Sequence, residues 1–208
     1  MYQPPHFRDD THAAQHGLIR TYPLGLLVAG GAGGLIANPI PFLLDEAGTH
    51  GTLRAHLARA NPQAQALAET EDCLVVFQGP QGYVTPGWYA SKQEHGRVVL
   101  TWNYATVHVW GRPRVIEDAD WLRRQIADLT ALREAPRAAS WAVDDAPASF
   151  VAAQMRAIVG IEIPIARIEG KWKMSQNRPE ADRAGVIAGM RADGETVLAD
   201  MVAERSGS

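Results

Sequence analysis

Short apolar runs at residues 74–77 and 98–102 alternate with turn-forming residues (Gly79-Pro80, Gly82, Pro86-Gly87). Residues 106–111 interleave Thr106, Val107 and Val109 with His108 and Trp110. β-Branched and aromatic segments between Gly and Pro punctuation predict three or more successive antiparallel strands. The pattern recurs upstream, with an apolar strand at 24–30, a second at 35–44 and a short third at 52–57. Pro39 and Pro41 confine the second to an edge or a bulge. The glycine-rich residues 30–34 between the first two read as a hairpin turn. They miss the dinucleotide-binding fingerprint, because its last required glycine falls on Ile36 and no helix follows. Residues 111–115 continue a strand, and 159–168 read as a long one, with Pro164 again implying an edge or bulge.

Helical periodicity appears between these strands. Asp9 or Asp10 can cap a helix that runs to about Thr21 and stops at Pro23. Pro62 opens a helix to about Glu71, and Pro147 opens another to about Arg156. Leu122, Ile126 and Leu129 repeat on one face of a helix that starts near 117–120 and ends at Pro136. Two more helices follow, at about 179–190 and 196–205. Residues 170–178, GKWKMSQNR, are polar and basic. Strands dominate the first 115 residues and helices gather later. The class is α+β around an antiparallel sheet, with a barrel expected because the strands are many and short.

Composition narrows the function classes. With 208 residues, 46% hydrophobic and 21% charged, the chain can bury a full core. A net charge of -3 gives no overall basic balance of the kind nucleic acid demands. The single cysteine, Cys73, excludes an internal disulfide and any multi-cysteine metal site, and it reads as a buried small hydrophobe. No apolar run reaches the ~18 residues of a membrane span, and the N-terminus lacks a signal-peptide pattern, so a cytoplasmic, soluble protein is expected.

Several groups carry candidate chemistry. Phe77, Tyr83, Trp88, Tyr89, Trp102, Tyr104 and Trp110 all fall within 74–111, where they form either core or the wall of a flat-ligand site. His56, Arg59 and Asn61 precede the helix at Pro62. They form either an anion seat at its N-terminus or a surface loop with a capping Asn61. Lys173, Ser175, Gln176 and Asn177 are donor-rich and line a cleft or an exposed loop. His12 and His16, at i and i+4, present either a solvated helix face or a chelating pair with Asp9 or His6.

Five blocks, YQPPHF at the start, HLARANPQ (56–63), FQGPQGYVTPGWY (77–89), TWNYATVHVWG (101–111) and KWKMSQNRPEADRAGVIAGM (171–190), lie in one order along the chain. Together they resemble the PaiB-type, FMN-binding negative transcriptional regulators of the pyridoxamine-phosphate-oxidase-like split-barrel superfamily. The resemblance covers residues 1 to about 190. It implies a six-stranded antiparallel split β-barrel with flanking helices, as an FMN-binding domain over 1–190 with a C-terminal helical tail at 191–208. It also implies a homodimer, FMN as cofactor, and repression of sporulation and protease genes in some bacilli.

On that resemblance, Ser91 and Lys92 are a second candidate phosphate seat, beside His56, Arg59 and Asn61. Trp102, Asn103 and Tyr104 would supply the wall and edge of the isoalloxazine site. Phe77, Val99, Val107 and Val109 stay core positions, while Trp88, Tyr89 and residues 102–104 become rim. The family commonly shows a histidine before the Leu-Pro pair of the second strand. Here Asn38-Pro39 precede Ile40-Pro41, which would alter ligand contact if that histidine touches it. A flavin-dependent regulator or sensor is the first functional expectation, with DNA or a regulatory partner as target. The charge pattern favours an indirect route over direct DNA contact. A flavin oxidoreductase using an NAD(P)H-type donor is the alternative, with His56 and His108 as the only acid/base candidates. Haem binding or degradation through either histidine is the third.

Overall fold

The computed structural model describes residues 1–31 and 33–206. Ala32, inside the expected glycine-rich turn, and the end of the expected tail, Gly207 and Ser208, lie outside the described residues. In chain order the elements are α1 (His12–Thr21), β1 (Leu24–Gly31), β2 (Gly34–Pro41), β3 (Leu43–Asp45), β4 (Thr52–Ala58), α2 (Pro62–Glu69), β5 (Cys73–Val84), α3 (Ser91–His95), β6 (Thr101–Gly111), β7 (Arg114–Ile116), α4 (Ala119–Glu134), α5 (Ala148–Arg156), β8 (Ile158–Pro164), β9 (Arg167–Lys173), α6 (Glu180–Ala192) and α7 (Thr196–Glu204). The strands among the described residues form a five-stranded sheet, β2-β1-β5-β6-β9, and a four-stranded one, β3-β4-β8-β7. The architecture is α+β with antiparallel pairing. The pairing does not close either sheet, so the six-stranded barrel expected from the resemblance is not what these strands show. The polypeptide divides into two compact units, and β5 and β6 each pass from one into the other.

One unit comprises Tyr22–Phe77 and His108–Ile168. Its β1–β2 hairpin pairs from Leu24↔Pro41 to Gly31↔Gly34, and β1 pairs on its other side with β5. Pro39 and Pro41 are tolerated because β2 is the edge strand. β4 alternates cleanly, burying Leu53, Ala55 and Leu57 against Ile161 and Ile163 of its partner β8. α2 starts where Asn61 accepts the Gln63 N–H at 2.9 Å and Pro62 stands in the first turn. α4 starts where Asp118 accepts the Trp121 N–H at 2.7 Å. Trp121 packs over Gly160 of β8, where an added Cβ would come within 2.3 Å of the ring. Asn38, the departure from the family pattern, is structural here. Its amide donates to Gln63 Oε1 at 2.9 Å, and Gln63 in turn donates to the Leu27 carbonyl at 2.8 Å, tying the hairpin to α2. Cys73 is buried, donates to the Gly111 carbonyl at 3.2 Å, and has its thiol pushed up to about 12 by burial and then by Asp72.

The other unit comprises Met1–Thr21, Gln78–Val107 and Glu169–Ser208. Its core holds Leu18, Ile19, Val84, Tyr89, Ala105, Val107, Met174, Val186, Met190 and Leu198. α7, from the expected tail, packs here on α6. The N-terminal arm lies along β9: Lys171 Nζ donates to the Tyr2 carbonyl at 3.0 Å, and the backbone of Arg8 pairs antiparallel with that of Lys171 as an isolated β-bridge. α6 carries Gly185 and Gly189 one turn apart, and Trp88 of the Pro86–Trp88 turn lies against both.

Several elements differ from expectation. The strand expected at 98–102 begins at Thr101, which leaves Val99 67% exposed and not in the core. Tyr89, expected at a rim, is 2% exposed, because its ring is packed into the core beneath Arg178. The long strand at 159–168 breaks after Pro164, and residues 170–173 are strand, not loop.

Gly185→Ala places a Cβ 1.9 Å from the Trp88 carbonyl oxygen, so backbone must move. We expect a loss of about 1–3 kcal/mol by urea unfolding. Gly17→Ala, in α1 with nothing within 4 Å of the new Cβ, should instead gain about 0.5–1 kcal/mol. Equal effects at both sites would contradict close packing of Trp88 on α6.

Candidate functional site

β6 and the turn after β9 build a compact donor cluster. Period-2 alternation along β6 turns Asn103, Ala105 and Val107 inward and leaves Trp102 exposed and Tyr104 half-buried. The chain leaves β9 through Met174, which is fully buried, into Ser175, whose φ of 62° is rare for a residue with a Cβ. Ser175 is fixed there by a reciprocal pair: its hydroxyl accepts from Asn103 Nδ2 at 3.1 Å and donates to Asn103 Oδ1 at 3.2 Å. Both residues are buried. Gln176 folds onto its own turn, accepting the Met174 N–H at 2.6 Å and donating to the Trp172 carbonyl at 2.6 Å.

The result is a cavity of about 40 Å³ lined by Thr101, Asn103, Lys173, Ser175, Asn177 and Arg178. It admits the charged tip of a ligand, not a ring system. Lys173 donates to Thr101 Oγ1 and, at 2.6 Å, to the Trp102 carbonyl. Its pKa is lowered by burial first, then by the positive charges of Lys171 and Arg178. The Arg178 guanidinium lies 4.7 Å from the Tyr89 ring centroid, and Lys171 lies 5.3 Å from that of Tyr104. Just outside, Trp102 is 46% and Tyr83 45% exposed, their rings T-shaped at 5.9 Å, with Trp102 Nε1 donating to Gln81. The cluster can hold an oxyanion beside an exposed aromatic surface.

Lys173, Ser175, Asn177 and Asn103 come together here, Trp102 and Tyr104 stand on the adjoining strand, and Gln176 is spent on its own turn. Ser91 takes a different place. Its N–H and hydroxyl both donate to Asp182, at 2.9 and 2.7 Å, so a buried carboxylate already fills that seat. Lys92 is exposed on the short helix α3. His56, Arg59 and Asn61 lie in the other unit. His56 is half-buried on β4, with Nδ1 buried and unpaired and its pKa lowered by burial. Arg59 donates to Glu117 and to the carbonyls of Arg156 (3.2 Å) and Ile158 (3.3 Å), and Asn61 caps α2. Among the described residues no three His, Cys, Asp or Glu converge as a metal site, and the His12 and His16 rings stack at 5.2 Å. No helix among them is long and apolar enough to cross a membrane.

Thr101, Arg178 and Lys171 were not singled out by the sequence. The signal for Lys171 was present: Lys171 and Lys173 are two apart, so a strand puts both on one face.

A family model described as "Putative FMN-binding domain" matches residues 1–167. An uncharacterised protein of Emericella nidulans is 37% identical over 227 residues, covering 90% of each chain. The protease synthase and sporulation protein PAI 2 of Bacillus subtilis is 29% identical over 187 residues, covering 90% of this chain and 87% of that one. Among solved structures, the flavocytochrome Anf3 of Azotobacter vinelandii shares the fold at a TM-score of 0.58 and 15% identity, over 86% of this chain and 75% of that one. A conserved hypothetical protein of Mycobacterium tuberculosis does so at 0.60 and 12%, over 86% and 95%.

Inorganic phosphate should raise the thermal midpoint, and Lys173→Met should abolish that rise. The unfolded chain keeps the Lys173 proton up to the ordinary lysine value and the folded chain releases it at lower pH. Ligand-free stability therefore rises with pH across that interval, whereas the phosphate-induced gain fades as Lys173 loses its charge. A phosphate effect unchanged in Lys173→Met would rule out this seat.

Proposed function

The chain belongs to the family of FMN-binding domains whose model it matches, and on that premise we propose that it is a flavin-responsive regulatory module, a homodimeric α+β protein of the cytoplasm. FMN is the cofactor this family assigns. The observation that carries the reading is the unbalanced positive charge around the Lys173 cavity beside the exposed Trp102–Tyr83 surface. FMN needs an anion seat and a flat aromatic wall, and these residues fit both requirements. Lys173, Arg178, Asn177 and Thr101 would hold the phosphate, Ser175 would hold the turn through Asn103, and Trp102 would face the ring system. The bound flavin supplies reversible redox chemistry. The chain's own contribution is to bind, orient and shield. The Bacillus subtilis relative's name connects it with protease synthesis and sporulation, which supports a regulatory role here.

The dimer has its own support in the unit that carries the hairpin. One face of β1, β2 and β5 presents Leu24, Leu26, Val28, Leu35, Ala37, Pro39, Leu74 and Val76, with Leu24 61% and Leu35 81% exposed and no charged side chain among them. A continuous apolar sheet face of this kind is the signature of an association surface.

The purified protein should be yellow and release FMN on denaturation, and its flavin band should persist on anaerobic mixing with NADPH or NADH. Rapid bleaching would instead make it an oxidoreductase, and a colourless protein indifferent to added FMN would end the flavin reading. In sedimentation, Leu26→Asp should convert a dimer to a monomer. An unchanged sedimentation coefficient would remove this face as the interface.

A further inference from the structure

A groove in the unit formed by Tyr22–Phe77 and His108–Ile168 plays no part in the flavin reading. Its floor is apolar, made by Ala119 and Leu122 at the start of α4 and by Ala152 and Met155 of α5. It encloses about 330 Å³. That volume falls within the range of small-molecule pockets, roughly 300–1,000 Å³. Leu122 is buried, so the floor is continuous with the core.

The rim is charged, with Arg59, Arg156 and Glu117. Two of the Arg59 N–H groups are anchored on backbone carbonyls, Nε on Arg156 at 3.2 Å and Nη2 on Ile158 at 3.3 Å. These bonds fix the guanidinium at the groove's edge before any ligand arrives. A third N–H, on Nη1, is taken by the Glu117 carboxylate, whose side chain is 67% exposed. An exposed ion pair of this kind contributes little and exchanges readily. Glu117 thus marks where a carboxylate docks on Arg59, and it leaves the rim with an excess of positive charge.

We propose that this groove binds a small amphipathic carboxylate, an aromatic or branched aliphatic acid. Its apolar body lies on Leu122 and Met155, and its carboxylate replaces Glu117 on Arg59. The groove shares no residue with the Lys173 cavity, so the site stands or falls independently of FMN.

The test titrates 2-naphthoate into protein carrying 13C-labelled methionine methyls, with the Met155 signal assigned through Met155→Leu. A saturable shift of the Met155 methyl is expected. Glu117→Gln frees Arg59 and should tighten binding, by up to about fivefold. Arg59→Gln should weaken it by up to about fivefold. Ala152→Phe, on the exposed side of α5, fills the groove and should abolish the shift while leaving the fold intact. The neutral analogue 2-naphthalenemethanol should bind up to about fivefold more weakly. No Met155 shift in either wild type or Glu117→Gln would overturn the proposal. So would binding of the neutral analogue as tight as that of the acid, or an affinity unmoved by Ala152→Phe.

Discussion

The reciprocal hydrogen bond between the Asn103 amide and the Ser175 hydroxyl is the constraint on which the candidate site depends. A left-handed Ser175 costs about 1–3 kcal/mol and persists only where its surroundings over-determine it. Here a fully buried amide meets the hydroxyl with both its donor and its acceptor, and leaving either unpaired would cost about 1–3 kcal/mol more. The turn that follows is therefore locked to β6. That lock brings Lys173, Asn177 and Arg178 onto one small cavity beside Thr101.

Charge then distinguishes this cavity from the other places where an anion could sit. At Ser91 the two donors face the buried Asp182 carboxylate, and at Arg59 the guanidinium faces Glu117. The first is closed by a buried carboxylate, and the second holds an exposed carboxylate that any incoming anion must displace. Lys173 is held instead by neutral oxygens of Thr101 and Trp102, with Lys171 and Arg178 as like-charged neighbours. Burial and repulsion make its charged form costly. An incoming dianion would offset both, which is why Lys173 is the seat proposed for the phosphate.

Much of this was legible in the sequence, for identifiable reasons. The hairpin, the edge strand with its two prolines, the Asn61-Pro62 start of α2 and the Leu122 face of α4 each depend on local rules: turn chemistry, missing donors, caps and periodicity. The donor-rich set Lys173, Ser175 and Asn177 was found by composition, and the structure gathers it. The polarity of residues 170–173 hid their strand, because Lys171 and Lys173 look like loop residues until Trp172 is seen packed on the opposite face. The engagement of Ser91 by Asp182 and of Arg59 by Glu117 joins residues 91 and 58 positions apart, which no local pattern encodes. Val99 and Tyr89 exchanged roles for a similar reason. Strand onset at Thr101 left Val99 outside, and the packing of Tyr89 is decided by α6 and Arg178, far along the chain.

A phosphate of FMN seated in the Lys173 cavity has a direct thermodynamic signature. The most direct measurement compares the affinities of FMN and riboflavin, which differ only in that phosphate, for wild type and Lys173→Met. FMN should bind the wild type about 10–100-fold more tightly, the worth of one or two charge-assisted hydrogen bonds, and the gap should close in the variant. Equal affinities in the wild type, or a gap that survives Lys173→Met, would mean that the phosphate is not held by Lys173.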